Sequence, residues 1–158
     1  MDDLESKTTS ELLKMHAAIM ETLRERKILR SANNPTGDLA EYLFCAAFGW
    51  EQEDNSKKSY DATDAAGIKY QIKGRRIHQR NKSRQLSAIR DLDGFDVLAV
   101  VLFDDDYKIT RAALIPSARI SEGSTYIAHT NSYRFMARDA VWSLGDVVDV
   151  TEKLLAVP

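Results

Sequence analysis

Asp61-Ala62-Thr63-Asp64-Ala65-Ala66-Gly67-Ile68-Lys69-Tyr70-Gln71-Ile72-Lys73 is the stretch on which the fold turns. From Ile68 onward the side chains alternate. Ile68, Tyr70 and Ile72 fall on one face, and Lys69, Gln71, Lys73 and Arg75 on the other, which is the period of a strand. Ala65-Ala66-Gly67 supplies a tight turn in which Gly67 takes positive φ. The hairpin so formed sets Asp61 opposite Gln71. One carboxylate, one amide oxygen and one lysine then converge on a single patch. Such a patch can hold a divalent cation beside a phosphate.

Working outward, Asn34-Pro35 reads as an N-cap followed by proline at the first helical position. The helix it opens runs to about Phe48, with Gly49 as C-cap. Leu39, Leu43, Ala46 and Ala47 form its expected buried side. Glu41 lies off that stripe, on a face shared with Asp38, Cys45 and Phe48. An earlier helix is expected from about Thr9 to Leu29. It opens with the capping-box pattern Thr8-Thr9-Ser10-Glu11 and buries Leu12, Met15, Ile19 and Leu23. Arg24, Arg26, Lys27 and Arg30 crowd its C-terminal end, where they suit the helix dipole. Trp50 to Gln52 reads as a short strand and Glu53 to Lys58 as a polar loop.

Beyond the hairpin, Ile77 to Asp93 holds a third short strand or a short helix. Phe95 to Phe103 is continuously apolar, as a central strand is. Asp104-Asp105-Asp106 reads as a solvated turn rather than a metal site, because it joins two strands. Tyr107 to Ile115 returns as a strand that Pro116 ends. A helical turn over Ser117–Ile120, an irregular stretch with strand character from Tyr126 to Trp142, and a final helix from Val150 to Ala156 complete the chain.

The arrangement Tyr60-Asp61 followed by Gln71-Ile72-Lys73, with Glu41 upstream on a helix, resembles the PD-(D/E)XK nuclease superfamily. Within it, the D…QxK variant of Mrr-type restriction enzymes is similar. Tyr60 stands where proline is common, and Gln71 where Asp or Glu is more frequent. The resemblance covers roughly Thr36 to Ile115. It implies an α/β fold with a central mixed β-sheet flanked by helices, restriction-endonuclease-like. It also implies a site of Glu41, Asp61, Gln71 and Lys73. Mg²⁺ or Mn²⁺ would be held by Asp61, the Gln71 side chain, the Ile72 backbone carbonyl and Glu41, directly or through water. The activity implied is metal-dependent cleavage of DNA phosphodiester bonds, in restriction, defence or DNA processing. A catalytically silent nucleic-acid-binding or assembly module on the same fold is the alternative.

Composition is compatible with this. The chain has 158 residues, 44% apolar and 29% charged, which suits one domain with its own core. Residues 1–33 are expected as an N-terminal helix, 34–116 as the nuclease-like core and 117–158 as a C-terminal extension. The net charge of −2 gives no global basic field. Its distribution gives a local positive surface, because Lys73, Arg75, Arg76, Arg80, Lys82, Arg84 and Arg90 fall in one stretch that holds no acid. Arg75, Arg76, Arg80, Lys82 and Arg84 are the expected DNA-backbone contacts. The single cysteine, Cys45, excludes an intrachain disulfide and a CxxC metal site. No apolar run approaches a membrane span, and the acidic N-terminus is no signal peptide. A cytoplasmic protein with DNA as partner is expected, with a homodimer as one option for its assembly. HExxH, GxxxxGK[ST], GxGxxG and nucleophile-elbow patterns are all absent.

Overall fold

Local signals at the helix ends hold in the computed structural model, which describes residues 3–31, 34–54 and 59–158. The Glu11 N–H donates to Thr8 Oγ1 at 3.2 Å, and the Thr8 N–H donates to the Glu11 carboxylate at 2.8 Å. This reciprocal box opens α1 (Thr9–Glu25). The helix stops at Glu25 rather than near Leu29. Lys27 takes a φ of 60°, and Leu29 turns inward to 3% exposure. The expected buried stripe is corrected too: Met20 is the buried residue of α1, while Leu12 and Ile19 stay exposed.

In α2 (Pro35–Phe48), Asn34 Oδ1 accepts the Thr36 N–H at 3.0 Å, and Gly49 closes the helix at a φ of 69°. Both caps are as read from sequence. The buried side is rotated, with Ala40, Leu43 and Phe44 inside and Ala46 exposed. The cause lies across the interface at Gly74. A Cβ there would stand 2.9 Å from Ala40 Cβ and 3.1 Å from the Thr36 carbonyl oxygen. The missing side chain lets α2 lie directly on the sheet at Ala40.

The strands are β1 (Glu51–Gln52), β2 (Ala62–Thr63), β3 (Lys69–Arg76), β4 (Val97–Phe103) and β5 (Ile109–Pro116). They are followed by α3 (Ser117–Gly123), the hairpin β6 (Thr125–Ile127) and β7 (Ser132–Arg134), then β8 (Val148–Asp149) and α4 (Thr151–Leu155). The main sheet has six strands in the order β1-β2-β3-β4-β5-β8. Only β3 and β4 run parallel among these pairs, so the sheet is mixed. The expected α/β class with a central mixed sheet and flanking helices is what the chain adopts. Residues 117–158 are more than an appendage: β8 forms the sheet edge on β5, and Leu154 of α4 is fully buried.

Every residue of β4 from Leu98 to Phe103 is buried, as its unbroken apolar run requires. Its alternate residues feed two cores. Ala99, Val101 and Phe103 join Tyr70 and Ile72 beneath α2 and α4. Leu98, Val100 and Leu102 face the other way, with Ile115, Ile120 and Phe135.

The stretch over Ile77–Asp93 is neither the strand nor the helix expected. It is an irregular crossover joining the parallel strands, pinned by the bridges Gln85↔Met136 and Ile89↔Tyr133 and by buried Leu86 and Ile89. Its side chains have their partners in residues 133–136, so no local periodicity marks them. The Asp104 turn is solvated as expected, with Asp104 Oδ1 accepting the Asp106 and Lys108 N–H groups. The polar loop expected over Glu53–Lys58 lies partly outside the described residues, which resume at Ser59. Among the described residues no helix is long and apolar enough to cross a membrane.

Candidate active site

The hairpin is built as its sequence implies. Gly67 has a φ of 82°, and the Asp64 carboxylate accepts the Ala66 and Ile68 N–H groups and the Tyr70 hydroxyl. Ala62 pairs with Tyr70, which carries Asp61 opposite Gln71. Trp50 stacks on Tyr70 at 3.7 Å between ring centroids and on Phe48 at 4.9 Å, so β3 is tied to the end of α2.

Asp61 closes onto the strand edge. Its N–H donates to the Tyr70 carbonyl at 2.7 Å, and its Oδ2 accepts the Ile72 N–H at 2.7 Å. A strand residue points its N–H and C=O to the same edge, so the Ile72 carbonyl also faces the Asp61 side. Gln71 and Lys73 lie beside Leu98 and Val100, on the face covered by the crossover. Gln71 Oε1 is buried with no hydrogen-bond partner. Such an orphan is uncommon and calls for a reason. Lys73 Nζ donates to Ser87 Oγ at 2.9 Å and to the Ala88 carbonyl at 3.1 Å. Among the described residues it makes no direct ion pair.

Glu41 approaches from α2. Gln52 Nε2 donates to its Oε2 at 2.6 Å, and Arg30 Nη1 stands 3.7 Å away. Burial, then the negative charge of Asp61, push the Glu41 carboxyl up to about 7, against the Gln52 hydrogen bond; Asp38 adds to the rise and Arg30 opposes it. Burial also raises Asp61, against the pull of the Ile72 N–H and the Lys73 charge. Burial lowers Lys73, against attraction from Asp61 and Glu41. The three groups therefore feel one another across a half-buried patch. Burial, with Glu41 and Asp61 beside it, lifts the Cys45 thiol to about 11, which keeps it protonated and inert.

The basic residues divide. Arg75 donates Nε to the Ser83 carbonyl at 3.0 Å. Arg76 projects from the opposite face of β3, where Nε and Nη2 donate to the Asp105 carbonyl at 3.1 and 2.6 Å. Arg84 pairs with Asp139 at 2.7 Å. Arg80 and Lys82 are exposed. The five therefore do not form one face.

Sequence reading missed Gln52 and Arg30, which hold Glu41, and Ser87 and Ala88, which hold Lys73. Gln52 was reachable in principle, because pairing it with Ala62 brings it next to Asp61. Arg30 was read as belonging to the C-terminus of α1. It stands beyond that helix, and its own N–H is bound by Asp38. Among the described residues no three His, Cys, Asp or Glu groups gather as a metal cluster. Comparison with models of known protein families finds no match, and comparison with curated proteins finds no significantly similar one.

Proposed function

We propose that this protein is a metal-dependent nuclease that hydrolyses DNA phosphodiester bonds on a restriction-endonuclease-like core. The observation that carries the reading is the electrostatic coupling of Asp61 with Glu41 and with Lys73, on a strand where Gln71 Oε1 is buried without a hydrogen-bond partner among the described residues. The donors available are the Asp61 carboxylate, Gln71 Oε1, the Ile72 carbonyl and Glu41. All are hard oxygens, the kind that Mg²⁺ or Mn²⁺ takes, and a cation would relieve the orphaned amide oxygen. Two carboxylates rather than three fit weak affinity. A divalent ion, when bound, supplies charge neutralisation at the phosphate and a lowered pKa for the attacking water.

The chain's own part follows from its side chains. Asp61 is oriented by the Ile72 N–H and Glu41 by Gln52, so neither carboxylate must be ordered at the moment of reaction. Glu41 is the second carboxylate at this patch and can bind the attacking water or accept a proton from it. Lys73 contributes positive charge to the non-bridging oxygens of the phosphate and cannot itself be a metal ligand.

A silent DNA-binding or assembly module is the second reading. It is favoured by the internal partners that Lys73 and Glu41 already have. Plasmid nicking with Mg²⁺ or Mn²⁺, set against duplex binding in EDTA, separates the two. Nicking that is lost in Asp61→Ala supports the nuclease. Binding without nicking supports the silent module.

A further inference from the structure

The carboxyl end of β3 opens on a cavity of about 300 Å³, lined by Gly74, Arg75, Arg76, His78, Asn81 and Tyr107 among others. No carboxylate side chain lines it among the described residues. Arg76 is held rather than loose, since its guanidinium also lies 5.0 Å over the Tyr107 ring. Two of its nitrogens are spent on the Asp105 carbonyl, and Arg75 spends its Nε on Ser83. Each guanidinium has five N–H donors, so both keep some to spare. Unlike Arg84, neither is drawn into an ion pair among the described residues. One oriented guanidinium, that of Arg76, beside an imidazole in a cleft lined by no carboxylate among the described residues makes a site for a compact, multiply charged oxyanion, with Arg75 at its border. The first turn of α2, at Thr36, opens on the same cleft and adds its dipole.

We infer that this cavity is a phosphate-binding subsite. Resting on the nuclease reading, the phosphate is one of the DNA backbone away from the scissile bond. Arg76 follows Lys73 by three residues on the same strand and projects from its other face, at the strand's end. At about 3.3 Å per residue this is roughly 10 Å, the rise of about three nucleotides.

The test is a ¹⁵N NMR titration of the full chain with inorganic phosphate, beside binding of a short DNA duplex in EDTA. Phosphate is expected to shift Gly74, Arg76, His78 and Asn81. Arg76→Gln is expected to weaken it by about tenfold or more. Because Arg76 also braces the Asp105 turn, Asn81→Asp is the second variant. The aspartate keeps the Oδ1 that accepts the Ser83 N–H at 3.1 Å, but puts an anion into the cleft. Both variants should weaken duplex binding as well. Shifts spread evenly over exposed Lys82 and Arg90, or equal phosphate affinity in Asn81→Asp, overturn the subsite. Loss of phosphate binding with duplex affinity intact overturns its assignment to DNA. If phosphate fills the cavity of a wild type that binds no duplex, the nuclease reading falls and the phosphate site stands, for a free phosphate or nucleotide. If duplex binds and phosphate never reaches the cavity, the subsite falls and the nuclease reading stands.

Discussion

The two ends of β3 carry opposite electrostatics. Toward its start, Lys73 is coupled electrostatically to Asp61 and Glu41, and burial pushes both carboxyls up and the lysine down. At its finish, Arg76 and His78 line an open cleft, bordered by Arg75, that no carboxylate lines among the described residues. One end is the proposed cation site, the other the proposed anion site. The divider is Gly74, where α2 touches the strand. A single strand can host both because its period of two separates Lys73 and Arg75 from Arg76, and because its edge toward Asp61 is covered only by the two residues of β2.

The comparison breaks most visibly at Lys73. In Lys73→Ala, DNA nicking should fall by about a hundred- to a thousandfold. The thermal melt should move little, because the lysine makes two hydrogen bonds worth about 1 kcal/mol each and, among the described residues, no direct ion pair. A loss of roughly 3–5 kcal/mol would instead make it the structural partner of the carboxylates.

The acidic end has a pH signature. Above the ordinary glutamate value of 4.5 the unfolded chain has released a proton that folded Glu41 keeps until about 7. Stability from this group is therefore greatest below that window and declines as pH rises through it, by about 1–2 kcal/mol once solvent screening of the half-buried carboxyl is allowed for. Denaturant titrations across this range should show the decline in wild type. Glu41→Gln should flatten it. A slope unchanged in the variant would mean that Glu41 is not the buried acid.

Gly74 tests the divider. Gly74→Ala should cost roughly 1–3 kcal/mol in a denaturant melt, as the new methyl group forces Ala40 and the Thr36 carbonyl aside. A neutral substitution would show that α2 is free to lift off the strand.

The smallest effect is in the salt dependence of duplex binding. Arg80→Gln and Lys82→Gln should each reduce the slope by about 0.9. Arg84→Gln should reduce it less, since Asp139, which Arg111 shares, already partly neutralises that side chain. Equal effects from all three would restore a single basic face.

The legible parts of this protein are the ones whose cause lies within a few residues. Thr8 and Glu11 cap each other, Asn34 caps Thr36, and Gly49 and Gly67 take the positive φ that their turns need. The pairing of Asp61 with Gln71 belongs to the same class, because a tight turn sets the register of its own hairpin. The crossover over Ile77–Asp93 was unreadable for the converse reason. Leu86 and Ile89 are ordered by residues 133–135, a partner that no local pattern announces.

Sequence alone therefore determined the α/β character, the hairpin and the residue types gathered on it, since these follow from periodicity and backbone preference. Tertiary structure alone decided that Gln52 and Arg30 hold Glu41, that Ser87 and Ala88 hold Lys73, and that Arg84 is paired while Arg75 and Arg76 border a cleft. A side chain's charge is written in the chain. The partner that neutralises, desolvates or frees it comes from strand order and helix packing far away in sequence.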